Sequence, residues 1–234
     1  MKILFVGNSH TYFNDMPATF AGLWETARGE RPEVTMLAYS GRSLQWHETE
    51  YFALRFNLLY GRYDYCVIQQ QAHPFPGEAE TAGPLEFIIS LCRSVGTVPL
   101  LTETWAECAA PEHQSVITAA HEALAKRLGI TLVPVGSIWQ SLLQEHPEID
   151  LFWRDGEHAS PRGDWLIAAT LCAVLSGDPE FPLSPAAHDF IRDGGIDFDA
   201  PKVIESPADT PCTLTEAEVS AMAAAIARRL RTEP

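Results

Sequence analysis

Positive charge is scarce in this sequence. Sixteen Lys and Arg stand against 31 Asp and Glu, a formal charge of -15, and a field of that sign repels phosphate backbones and anionic lipid surfaces. Nucleic-acid and membrane-surface partners are therefore disfavoured. Long apolar runs are also missing: the longest, residues 165–175, is too short to span a bilayer and has the density of a packed helix. The opening Met-Lys-Ile-Leu-Phe-Val-Gly carries one positive charge and four apolar residues before Gly7, too few for a secretory signal, so a cytoplasmic location is expected. Five cysteines (Cys66, Cys92, Cys108, Cys172, Cys212) include no CxxC pair, which argues against disulfides and structural zinc. Cys66, Cys92 and Cys172 sit in apolar stretches and read as small core residues. The glycines of a phosphate-cradling loop or a dinucleotide fingerprint are absent as well, and no cofactor is expected.

What is present is the composition of a globular chain, 46% hydrophobic and 20% charged over 234 residues. That length favours one α/β domain with a large core. Short β-rich runs at 3–6, 34–38, 65–68, 98–101 and 130–135 predict buried strands. Apolar residues at helical spacing predict helices over 17–28, 84–95, 111–128, 137–145 and 161–176. Alternation of this kind implies right-handed crossovers, a five-stranded, mostly parallel sheet in a three-layer α/β/α sandwich, and a site beyond the carboxyl ends of the strands. Residues 177–212 contain six prolines and a Gly-Gly pair, which predicts an irregular excursion. A last helix over 213–231 follows, with Thr213 or Thr215 as its N-cap, and 177–234 reads as an appendage of a single domain spanning 1–234.

Two short motifs carry chemistry. Gly7-Asn8-Ser9-His10-Thr11 directly follows the first strand and precedes the first helix, so Ser9 is presented at the carboxyl edge of the sheet. Asp155-Gly-Glu-His158 lies in the loop before helix 161–176. An acid three residues before a histidine can fold back onto one ring nitrogen, which leaves the other to take a proton from a hydroxyl. The topology brings both motifs to one edge.

Together they resemble the GDSL/SGNH hydrolase superfamily, which has a nucleophilic serine near its amino terminus and a DxxH near its carboxyl end. Ser40-Gly41-Arg42 resembles the family's glycine block and Gln69-Gln70-Gln71 stands where its asparagine block is found. The first block reads Gly-Asn-Ser-His in place of Gly-Asp-Ser-Leu, and Gly-x-Asn-Asp is absent. The resemblance implies a flavodoxin-like SGNH fold and a serine esterase, with Ser9 as nucleophile, His158 as base and Asp155 orienting it. It implies an oxyanion hole from the N–H groups of Ser9 and Gly41 plus a glutamine amide. Alternation along an extended segment groups Gln69 with Gln71 against Gln70, so either of that pair is a candidate. Asn8, His10, Trp46, His73 and Trp105 are candidate substrate contacts, and Trp46, His47, His73, Trp105 and Trp153, all expected on loops at the active edge, would form an aromatic wall suited to a sugar ring or acyl chain.

A small-molecule ester is the expected partner, and a small acyl group such as acetyl on a polar or carbohydrate-like carrier is the preferred substrate. Two other readings use the same residues. One is a metal-dependent hydrolase built on Asp155, His158 and His10; the other is a non-catalytic binding module of the same fold.

Overall fold

Alternation of side chains explains how the sheet is buried on both faces. In β1 (Lys2–Gly7), Ile3 and Phe5 enter one hydrophobic core while Leu4 and Val6 enter a second, and all four are fully buried. The same division recurs in β3 (Tyr65–Gln69), with Val67 opposite Cys66 and Ile68, and in β4 (Val98–Thr102), with Leu100 opposite Leu101. Each such side chain taken out of water contributes about 1.5–3 kcal/mol. With β2 (Glu33–Ala38) and β5 (Thr131–Val133) these form a five-stranded sheet of order β2-β1-β3-β4-β5. Every pairing is parallel.

The computed structural model describes residues 1–188, 196–197, 202–203 and 211–232. On one face of the sheet, α2 (Met16–Arg28), α7 (Val135–Glu145), α8 (Pro161–Ser176) and α9 (Glu216–Arg231) close the first core. On the other, α3 (Leu44–Thr49), α4 (Tyr51–Gly61), α5 (Glu78–Ser94) and α6 (Gln114–Leu128) close the second. This is the three-layer sandwich expected from the sequence. Among the described residues no helix is long and apolar enough to cross a membrane. Cys66, Cys92 and Cys172 are free and buried in these cores, and burial pushes the Cys172 thiol up.

The crossover between β2 and β3 departs from the sequence reading, which names no helix there. Leu54 and Leu58 of α4 are buried, but Phe52, Phe56 and Tyr60 lie exposed on its outer side. Apolar residues on both sides of the helix hide its amphipathic period. α5 also begins earlier than expected, at Glu78, and runs through Pro84. Thr215 is the N-cap of α9, closing a capping box with Glu218. The Pro-rich excursion falls partly outside the described residues; within them, 186–188 pairs antiparallel with 211–213.

Candidate active site

β1, paired on both sides, delivers the Ser9 segment to the carboxyl edge of the sheet. β1 ends on Gly7, where a Cβ would run into the side chains of Thr11 and Gln69, so the close approach requires glycine. Asn8 then caps a short helix, α1 (Ser9–Tyr12), its Oδ1 accepting the His10 N–H at 3.0 Å while its Nδ2 donates to the Arg42 carbonyl at 3.0 Å. Asn8 is buried and spent on these bonds, which makes it a cap and not the substrate contact expected. His47, on α3 and not on a loop, donates from Nε2 to the Gly7 carbonyl at 2.8 Å and ties the same turn from the opposite side.

The Asp155–His158 loop folds back on itself. Phe152 bridges to Ala159, the Trp153 N–H donates to the His158 carbonyl at 2.7 Å, and Gly156 takes a left-handed φ of 75° at the bend. Asp155 Oδ1 accepts the N–H groups of Glu157 and His158, and Oδ2 accepts Nδ1–H of His158 at 2.8 Å. Nε2 of His158 is thereby left as an acceptor, and it lies 2.8 Å from Ser9 Oγ. Burial alone would raise the Asp155 carboxyl, but the hydrogen bonds from Glu157 and His158 outweigh it and hold the acid below its ordinary range.

Two rings from the nucleophile segment clamp the histidine. His10 stacks on His158 at 4.5 Å between centroids and Phe13 stacks on it at 4.3 Å, with interplanar angles of 18° and 19°. His10 is buried beneath the site, not exposed to a substrate. Its Nε2 contacts Nδ1 of His73 at 3.1 Å, and His73 Nε2 donates to the Trp105 carbonyl at 3.0 Å. Burial first, then the neighbouring imidazoles of His158 and His73, push the His10 pKa well down against the pull of Asp155. A neutral His10 adds no repulsion when His158 takes a proton, and the Phe13 face attracts the cation that forms.

Buried neutral histidines also set how stability responds to acid. Burial lowers His121 to about 4, and His10 is lowered in the same sense. The unfolded chain protonates near 6.5 while the folded chain does not, so more protons bind to the unfolded state and stability falls as pH drops below about 6.5. Both act in the same direction within that window. The urea midpoint should fall less between about pH 7.5 and about pH 5 in His121→Gln than in wild type, and equal falls would contradict it.

The glutamine run divides differently from the sequence expectation. Gln69 Oε1 accepts from Thr11 Oγ1 at 2.8 Å and from the Asn8 N–H, and its amide nitrogen donates to the Gln70 carbonyl. Gln69 therefore braces the Ser9 turn through its oxygen, and one of its two amide hydrogens is spent on the backbone. Gln70 is equally committed, to the N–H groups of Leu44 and Gln71 and to Thr81 Oγ1. The Gln71 side chain is half-buried and makes no hydrogen bond among the described residues. Gly41 lies exposed in a turn closed by the Arg42 N–H on the Tyr39 carbonyl, at a left-handed φ of 66°.

The aromatic wall shrinks on inspection. Trp105 is only 1% exposed; its indole N–H donates to the Glu157 carbonyl at 2.9 Å and its ring stacks on Trp139. It supports the Asp155–His158 loop from below and offers no face to a substrate. Buried Glu103 fixes the segment that carries Trp105 through Gln114, which bonds both Glu103 and the Ala106 N–H. Trp46, half-buried on α3, packs against Tyr39 and Arg42. His73 borders an open, largely apolar cavity of about 300 Å³ shared with Phe75, Glu107 and His113. Phe13 and Glu103 escaped the sequence reading. A phenylalanine after a helix turn and an acid at a strand end carry no motif, although Glu103 ending a buried strand is a polar break in an apolar pattern.

Ser9 after β1 and the Asp155–His158 loop before α8 meet at one edge of a 2-1-3-4-5 parallel sheet, a fold that solved structures share. The chain superposes on a DUF4886 family protein from Bacteroides uniformis with a TM-score of 0.70, at 19% identity, covering 99% of this chain and 95% of that one. It is similar also to Axe2, an acetylxylan esterase from Geobacillus stearothermophilus (TM-score 0.61, 14% identity, 74% and 93% covered). TesA gives a TM-score of 0.60 at 15% identity, with 76% and 99% covered. No family model and no curated protein matches the sequence.

Proposed function

We propose that this protein is a serine ester hydrolase. The observation that carries the reading is the unbroken hydrogen-bond sequence Asp155 Oδ2, His158, Ser9 Oγ, with both links at 2.8 Å. In the reaction, Ser9 Oγ attacks the ester carbonyl while His158 Nε2 takes its proton, and Asp155 holds the ring in the tautomer that leaves Nε2 free. His158 then protonates the leaving alcohol, and water repeats the sequence to release the acid. The N–H groups of Ser9 and Gly41 and the Gln71 amide are the donors for the oxyanion. A small acyl group such as acetyl on a polar or carbohydrate-like carrier remains the proposed substrate. The acetylxylan esterase among the structural neighbours supports it, and the cavity beside His73 leaves room for more of the ester.

The metal reading has weaker support. Among the described residues no group of three or more His, Cys, Asp and Glu is arranged to hold an ion, and His10 meets His158 face to face, so their lone pairs do not converge. The test is turnover of a panel of p-nitrophenyl esters led by the acetate. Turnover should be blocked by a serine-directed phosphonate and should survive EDTA. Loss on chelation with recovery on adding zinc would favour the metal reading, and no turnover of any ester would favour the binding module.

A further inference from the structure

A second buried pair links the two halves of the site. Asn14 lies two residues after α1 and Asp164 lies in the first turn of α8; they are 0% and 1% exposed. Asn14 Nδ2 donates to Asp164 Oδ2 at 2.7 Å and to the carbonyl of Ala159, the residue after His158, at 3.0 Å. The remaining oxygens, Asn14 Oδ1 and Asp164 Oδ1, are both buried and accept no hydrogen bond among the described residues. Among the described residues an ionised carboxylate there would have one neutral donor and no cation. The joint as it stands has a surplus of acceptors and lacks one hydrogen.

We propose that Asp164 is a neutral acid whose proton, carried on Oδ1 and offered to Asn14 Oδ1, completes a two-way joint that sets the Ser9 turn against the His158 loop. Burial without a counter-charge is the general reason a carboxyl stays protonated. The charged groups on the surrounding elements do not oppose it. Asp15, next to Asn14, acts on Asp164 with the same sign, and burial, the larger effect, raises its pKa well above the usual range. Arg162 of α8 pairs with Glu218 of α9, Glu25 near the end of α2 pairs with Arg31, Arg28 lies over Phe181, and Glu145 of α7 pairs with Arg228. The first turn of α8 does favour negative charge, but that attraction acts against complete burial. Asn14 and Asp15 sit at left-handed φ of 47° and 54°, a conformation that Asn and Asp adopt more readily than other non-glycine residues. Asp164 is thus a positioning residue acting through Asn14.

The proton itself is tested without substrate. The folded state holds it where the unfolded chain does not, so the contribution of this one proton to stability falls as pH rises, opposite in sign to that of the buried histidines, whereas Asp164→Asn keeps a donor and an acceptor with nothing to ionise. Between about pH 5 and pH 8 the folding constant of Asp164→Asn should gain on wild type by up to tenfold per pH unit. Infrared spectra at neutral pH should show a protonated carboxyl band that the variant lacks. Parallel stability curves, or loss of carboxylate absorption instead, would overturn the protonated acid. The positioning half rests on the ester-hydrolase reading. Asp164→Asn should keep kcat within a few fold, and Asp164→Ala, or Asp164→Ser where alanine does not fold, should lose tenfold or more in kcat with KM nearly constant. Wild-type kcat in the alanine or serine variant would overturn that half.

Discussion

Ser9→Ala lowers kcat for an ester by about 10⁴-fold or more, His158→Ala does the same, and the double variant is no worse than either alone. The non-additivity follows from the geometry. Ser9 Oγ and His158 Nε2 share one hydrogen bond at 2.8 Å, so removing either partner ends the same proton transfer and nothing remains for the second change to remove. Ser9→Ala should fold as wild type does, whereas His158→Ala empties the space between the His10 and Phe13 rings and should fold with some loss of stability. Single-turnover kinetics with a p-nitrophenyl ester, alongside thermal unfolding, would measure both quantities. A Ser9→Ala enzyme with near-wild-type kcat would remove Ser9 from the reaction.

Gln71→Ala lowers kcat and kcat/KM together by about 10²- to 10³-fold with KM nearly unchanged, while Gln69→Ala acts by another route. An oxyanion donor works only when charge has developed on the carbonyl oxygen, so its loss leaves ground-state binding intact. Gln69→Ala instead strips Thr11 Oγ1 and the Asn8 N–H of their acceptor. Leaving such groups unpaired in a buried turn costs about 1–3 kcal/mol of stability. The discriminating result is therefore a pair: a stable, slow Gln71→Ala and a destabilised Gln69→Ala. A Gln71→Ala enzyme within a few fold of wild type would remove the side chain from the oxyanion site.

The strands and the paired motifs were legible because each is written in adjacent residues. Short continuous apolar runs mark strands buried on both faces, and Ser9 after a strand and His158 three residues after Asp155 mark a candidate nucleophile and base that a parallel sheet of this order brings together. What could not be read depended on direction or on distant partners. Gln69 and Gln71 would share a side if the strand continued, but it stops at Gln69. Trp105 lies on a loop, as its position after the fourth strand implies, yet sequence does not say that the ring turns inward onto Trp139. Phe13 has no signal at all, since the ring it meets belongs to the far end of the sheet domain.

The clamp around His158 has a consequence for how such a site can change over time. Both clamping rings, His10 and Phe13, belong to the stretch of chain that carries Ser9, so the base is docked on the nucleophile's own segment. A substitution that tilts that segment drags the imidazole with it and leaves their mutual spacing alone. The Ser9–His158 pair travels as one piece across the sheet edge, and neighbouring loops, such as the one holding His73, are free to diverge around it.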